Sequence, residues 1–194
     1  MQSNKITAKD LINVGIFSAI YFVLLFVSSM VGFIPILLLL LPVICPIVTG
    51  IPFMLYLTKV HTFGQITLMG IVLGLANLLI GDNWLIILFA AGFGLLADLI
   101  CKAGKYRSSK LNIVGYSVFG IWVVGKAMPM YIMRDSYFQL MRSGYGNEYT
   151  DATLKLTPAW TLPLWFVLGF LGGVLGGLLG KAVLKKHFER AGIA

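Results

Sequence analysis

The chain has 194 residues, 59% of them apolar and only 11% charged, and a formal net charge of +8. Soluble domains carry about 25% charged residues, so this set cannot cover a water-exposed surface and lipid must be the main solvent. Glycines without a fixed period exclude a collagen helix, and the apolar excess excludes disorder. Cys45 and Cys101, both inside apolar stretches, give neither a disulfide framework nor a metal-ligand spacing.

A bilayer-crossing helix needs about 20 mostly apolar residues. Six such segments follow one another at roughly 11–32, 34–57, 64–80, 84–101, 111–132 and 161–184. In the first, Gly15–Val31 reads as a retained span, too long and wrongly flanked for a signal peptide. The second holds Pro35, Pro42, Pro46 and Pro52, which predict kinks or an unwound stretch. Gly81-Asp82-Asn83 joins the short third and fourth segments as a tight turn. The alternating pattern of a β-barrel is absent. The expected fold is all-α: a six-transmembrane-helix bundle in which residues 1–194 form one integral membrane domain.

Charge placement predicts the orientation. Lys5, Lys9, Lys59, Lys102, Lys105, Arg107, Lys110, Lys181, Lys185, Lys186 and Arg190 all fall on one side of a six-span bundle; the other side holds Arg134, Arg142 and Lys155. The positive-inside rule then puts both termini in the cytoplasm. The basic excess is a topology signal and a contact for membrane lipid, with no nucleic-acid partner implied. Trp84, Trp160 and Trp165 are expected at the outer interface.

Residues 133–160 form the longest connection, on the outer side, and carry Tyr137, Phe138, Leu140, Met141, Tyr145, Tyr149, Leu154 and Trp160. Structureless loops beyond about 12–15 residues are uncommon, and these side chains are too apolar for a linker. The segment is expected to fold back as a short helix or lid; an interfacial stretch without a ligand role is the alternative.

Lys126 lies inside the fifth segment, about six residues from its outer end. An intramembrane lysine costs about 2.5–3.5 kcal/mol at mid-bilayer and less toward the interface, so it ordinarily faces the bundle interior or a wet cavity. Trp122, one turn earlier, shares its helical face, and Pro129 leaves the carbonyl of Gly125 free. A lysine snorkelling to lipid phosphate is the bland alternative. On the third segment Gly70, Gly74, Asn77 and Gly81 share one face, putting Asn77 at a depth similar to Lys126, as a pocket residue or an interhelical hydrogen bond. Asp82 and Trp84 are candidates for the mouth of the same pocket, though Asp82 reads chiefly as a turn residue. With Tyr131, Arg134, Trp84 and Trp160 near the same outer end, the expected substrate-binding set is Lys126, Asn77, Trp122, Tyr131, Trp84, Arg134 and Trp160. Such a pocket favours a small aromatic or heterocyclic molecule with acceptor oxygens or a negative charge.

The sixth segment carries two glycine ladders, 169/173/177 and 172/176/180, which read as an internal packing face or a surface for another protein. Asp98 is expected to pair with Lys102 one turn on. No H-E-x-x-H, G-x-S-x-G, P-loop or paired-glutamate motif occurs, and His61 and His187 both lie at cytoplasmic edges. No catalytic residue, cofactor or metal site is therefore expected, and the chain reads as a non-enzyme.

A six-helix protein with cytoplasmic termini, an outward-facing polar pocket and the helix-1 stretch Lys9 to Tyr21 resembles the substrate-binding S component of an energy-coupling factor (ECF) transporter. It looks most like the Trep_Strep group of bacterial integral membrane proteins. The resemblance implies capture of a vitamin-like molecule from outside, then docking on a transmembrane T component that bears two cytoplasmic ATPases. The family's helix-1 Ala-x-x-x-Ala motif contacts the T component; Gly15 and Ala19 occupy the matching positions here. Family members often close over the ligand with the loop between helices 1 and 2, whereas here that link, around Gly32 to Pro35, is very short. The lid role is therefore expected of residues 133–160. A self-sufficient facilitator or ion-coupled carrier would need paired buried acids or inverted repeats, and an assembly subunit would use Lys126 only for internal pairing.

Overall fold

The computed structural model describes residues 6–188, in which all regular structure is helical. Lys5 and Arg190 of the charge pattern lie outside that range, and the side chain of His187 lies outside the described set. Helix α1 (Ala8–Ser29) starts at a capping box in which Thr7 and Asp10 satisfy each other's backbone amides, and ends in a 3₁₀ turn at Met30–Phe33. The proline-rich second segment splits as expected: a single turn, α2 (Pro35–Leu38), then a break, then α3 (Leu41–Leu57) with Pro46 and Pro52 inside it. Helices α4 (Gln65–Leu79) and α5 (Leu85–Ala103) flank the Gly81 turn, where φ is +98°.

The fifth segment is not one helix. It runs as α6 (Ser109–Gly120), a 3₁₀ stretch Ile121–Lys126, and the single turn α7 (Pro129–Ile132). The outer segment is helical, α8 (Arg134–Leu156), broken at Gly146, where φ is +83°. The last helix is α9 (Thr161–Val183). Three helical stretches, Ala8–Phe33, Leu85–Ala103 and Thr161–Lys186, are long and apolar enough to cross a membrane; Leu41–Leu57 and Gln65–Leu79 are apolar but shorter. Exposed leucines, isoleucines and valines cover the outer faces of α1, α4, α5 and α9, the surface that a lipid solvent requires.

Close packing centres on α9. Its two glycine ladders contact two different helices. A methyl built on Gly172, Gly176 or Gly180 would strike Val43, Pro46 or Gly50 of α3, and one built on Gly173 would strike Ser117 of α6. Of the two readings of the α9 ladders, internal packing is the one that holds: the helices' own backbones fill the space. Beside them, the Phe53 ring lies 4.6 Å from that of Tyr116 and 4.8 Å from that of Phe119. Gly15 of α1, by contrast, is exposed with open space around it, as is the neighbouring position Ala19 exposed.

Asp98 gives a second correction. It is fully buried and caps the start of α4, accepting from the amides of Gly64, Ile66 and Thr67, from Thr67 Oγ1 and from Tyr106 Oη. Gly64, with φ +102°, has no side chain to cap α4 itself, so a carboxylate from α5 takes over the orphan donors. Lys102 points elsewhere, with Nζ 4.5 Å from the centre of the Phe63 ring. Burial, then the hydrogen bond to Asp98, pushes the Tyr106 phenol well above its usual pKa, so it stays a donor.

Gly176→Ala should lower thermal stability by about 1–3 kcal/mol through overpacking against Pro46. Gly15→Ala should leave the melting temperature unchanged. Unfolding of both variants in detergent checks the contrast.

Candidate functional site

The helices converge along the glycine faces and part near the far end of α9. There, Trp165 replaces glycine and the chain breaks between α2 and α3. A cavity of about 300 Å³ opens at that place, at the lower end of the range of about 300–1,000 Å³ for small-molecule sites. The end of α1 and its 3₁₀ turn supply Leu25, Phe26, Ser29, Met30, Gly32 and Phe33. The floor comes from Leu38, Leu41, Pro42 and Cys45, and Trp165 closes one side. Over it lies α8, through Tyr137, Met141, Tyr145 and Tyr149.

A clasp holds α8 down. Tyr149 Oη donates to the carbonyl of Gly32 at 2.6 Å, the Tyr145 and Tyr149 rings stack at 5.2 Å, and Phe33 lies 6.3 Å from Tyr145. The short helix-1 to helix-2 link is thus the anchor for the covering segment. Arg134 fastens the other end of α8: it donates to the carbonyls of Met130, Leu154 and Thr157, and its guanidinium lies 5.1 Å from the Phe138 ring centre. Across the Gly146 break, Arg142 pairs with Asp151 at 2.5 Å.

The polar wall is a cluster around Lys126. Its Nζ lies 2.6 Å from Asp82 Oδ2 and donates to Asn77 Oδ1 at 2.6 Å. Asn77 is buried and in turn donates to the Leu73 carbonyl at 2.8 Å. The lysine and aspartate side chains are 26% and 19% exposed, so neither charge is well hydrated and each depends on the other. Asp82, expected to be a turn residue, is therefore the counter-ion of Lys126. The carbonyls of Gly125 and Lys126, near the helix break at Pro129, are met by Asn83 Nδ2 at 3.4 Å each.

Of the residues expected to bind substrate, Lys126 lines the cavity and Asn77 stands behind it, holding its ammonium group. The others lie off the cavity wall, each for a local reason. Trp122 is fully buried and donates to Tyr21 Oη at 3.2 Å. The 3₁₀ turn puts Val123, three residues before Lys126, on the cavity face instead. Tyr131 shares a 2.7 Å hydrogen bond with Thr161 and packs edge-on against Trp165. Arg134 is spent on backbone carbonyls, and Trp84 and Trp160 are exposed.

Trp165, expected among the interfacial indoles, is 4% exposed and lines the cavity, and its Nε1–H has no partner among the described residues. The signal was in the sequence: Trp165 precedes Gly169 and Gly172 by four and seven residues, so it shares the inward face of α9. Burial, and then the negative charge of Asp82, pushes the phenol of Tyr137 up to about 12, which leaves it a neutral donor over the cavity. Among the described residues no His, Cys, Asp and Glu group could hold a metal ion, and Cys45 and Cys101 are free thiols.

An all-helical chain with apolar outer faces and a covered cavity at one end is an integral membrane protein with a small-molecule-sized compartment. It belongs to the Trep_Strep family, described as hypothetical bacterial integral membrane proteins, whose family model matches residues 8–190. No curated protein and no solved structure shows significant similarity to it.

Lys126→Met should lower stability by about 2–4 kcal/mol, because it leaves Asp82 as an uncompensated, poorly hydrated charge. The Asp82→Asn/Lys126→Met double variant should regain most of that loss. Melting curves of the single and double variants form the cycle that checks the coupling; simple additivity would mean that the pair contributes nothing.

Proposed function

We propose that this chain is the substrate-capturing membrane subunit of an ATP-driven importer of the energy-coupling-factor type. It binds a small vitamin-like or heterocyclic molecule from outside a bacterial cell. The observation that carries the reading is the cavity beneath α8: a compartment of ligand size, covered by a clasped helix, at one end of a membrane bundle.

The orientation follows from charge. Lys59, Lys102, Lys105, Arg107 and Lys110 lie in or beside the connections gathered around Asp98 and Tyr106, at the end of α4 and α5 remote from the cavity. On the positive-inside rule that end is cytoplasmic and the cavity faces out. The six helical segments then make six spans with both termini inside. The pairs α2 with α3 and α6 with α7 each cross as interrupted helices, and the loosened stretch between α6 and α7 is largely buried in protein.

The mechanism has two parts. The occupant enters under α8, and contacts with Tyr137, Met141, Tyr145 and Tyr149 draw the covering helix down. The loaded bundle then turns against a T component, along the flat open stripe of α1 at Gly15 and Ala19, and releases its cargo inside. The sequence holds no P-loop, so the reading assigns ATP hydrolysis to the two partner ATPases.

The test uses whatever small molecule copurifies with the full chain, identified by mass spectrometry. Cells expressing this chain with a T component and its ATPases should accumulate it, and cells expressing the chain alone should not. Uptake without partners would overturn the reading. Gly15→Phe, at an exposed position where an added Cβ meets nothing within 4 Å, should abolish copurification of the T component while the cavity still loads. Tyr149→Phe removes one clasp hydrogen bond of about 1 kcal/mol, so release of the bound molecule should quicken roughly fivefold.

A further inference from the structure

We infer that the cavity selects an electrically neutral, flat, largely apolar molecule that carries a hydrogen-bond acceptor, and discriminates against anions. This deepens the proposed capture role and rests on it. It also departs from what a lone intramembrane lysine suggests in the sequence, where an anionic ligand is the natural complement.

The first reason is charge balance. Among the described residues the one cation on the wall is already matched: Lys126 Nζ lies 2.6 Å from Asp82, and both residues line the cavity. An entering carboxylate would add a second negative charge beside Asp82 with no cation left to meet it, and would leave water to do so. An entering cation would meet the Lys126 ammonium at the same wall. A neutral guest disturbs neither partner, and Asn77 keeps the lysine turned toward Asp82.

The second reason is the donor inventory. Trp165 is 4% exposed, lines the cavity and has an Nε1–H with no partner among the described residues. Buried indole N–H groups are ordinarily satisfied, so the guest is the missing acceptor. Tyr137 adds a hydroxyl on the covering helix, and Lys126 has a third N–H beyond the two it uses. These donors fit a carbonyl or a ring nitrogen on the guest.

The third reason is shape. Phe26, Phe33, Tyr145 and Tyr149 present ring surface around the space, and Met30, Met130 and Met141 fill between them. Aromatic walls receive a planar guest by offset stacking, and methionine adapts to its outline.

The experiment compares three probes of one shape with the full chain in detergent: 2-naphthamide, 2-naphthoate and 2-naphthylmethylammonium. Binding is followed by calorimetry and by the rise in melting temperature. The amide should bind at least tenfold tighter than either ion. Trp165→Phe should weaken the amide ~5- to 10-fold, while naphthalene itself, which has no acceptor, reports the part of that loss due to packing. Preference for the naphthoate or the ammonium overturns the inference while leaving capture by this cavity intact. Failure of all three probes to bind overturns it as well. An equal loss of amide and naphthalene in Trp165→Phe overturns the role given to the indole. Partner-independent uptake, the result that sinks the importer reading, would leave these binding preferences as they stand.

Discussion

The ion pair between Lys126 and Asp82 is the interaction on which the far end of the bundle depends. In a low-dielectric interior neither charge survives alone, so the two must stay within reach of each other. That requirement pins the turn between α4 and α5 against the 3₁₀ stretch of the fifth segment, and Asn77 closes the triangle from the end of α4. The end of α4 and the turn after it are thereby tied to a 3₁₀ stretch more than 40 residues further along the chain. The cavity wall is rigid where it is polar, and the soft parts lie opposite, in α8 and the end of α1.

The cavity is the consequence of a change in side-chain size along α9. From Gly169 to Gly180 the glycines admit the backbones of α3 and α6, and the helices run in close contact. At Trp165 that permission ends. The α2–α3 break and the 3₁₀ stretch before Pro129 fall at the same level, so the neighbouring helices lose regular geometry where α9 stops admitting them. The resulting space is too large for the local side chains, and α8 covers it. A tight half and a hollow half thus follow from one helix whose inward face changes from bulky to bare.

Much of this was legible from the residues. Apolar run lengths placed all six helical segments, the prolines placed the break before α3, and the aromatic content of 133–160 marked it as a segment that folds back. The depth match between Asn77 and Lys126 was readable from glycine spacing. What failed rested on the assumption of regular α-helix. Trp122 and Lys126 share a face only at 3.6 residues per turn, and the 3₁₀ stretch turns the indole into the core. Asp82 and Asp98 were read by their neighbours in sequence, as a turn residue and an i,i+4 partner. Asp82 pairs with Lys126, 44 residues on, and Asp98 accepts from amides 31–34 residues back as well as from Tyr106 in the following turn. Pairing across helices carries no local periodicity, so spacing rules could not find it.

The covering helix differs from the rest in how it is held. Beyond α8 the bundle is locked by backbone-to-backbone glycine packing and a fully buried aromatic core. Helix α8 carries Gly144 and the broken Gly146, turns most of its outer face outward, and is held by one tyrosine hydrogen bond, a ring cluster, Arg134 and the packing of Phe138 and Met141 in a cluster with Leu38 and Trp165. Its apolar residues Tyr137, Met141, Tyr145 and Tyr149 line the hollow itself. The contacts that helix lacks are the ones a guest would supply, so on the proposed reading occupancy and closure are linked, each strengthening the other. On that reading α8, broken at Gly146, is the element able to respond to a guest, whereas α9, packed backbone to backbone, is not.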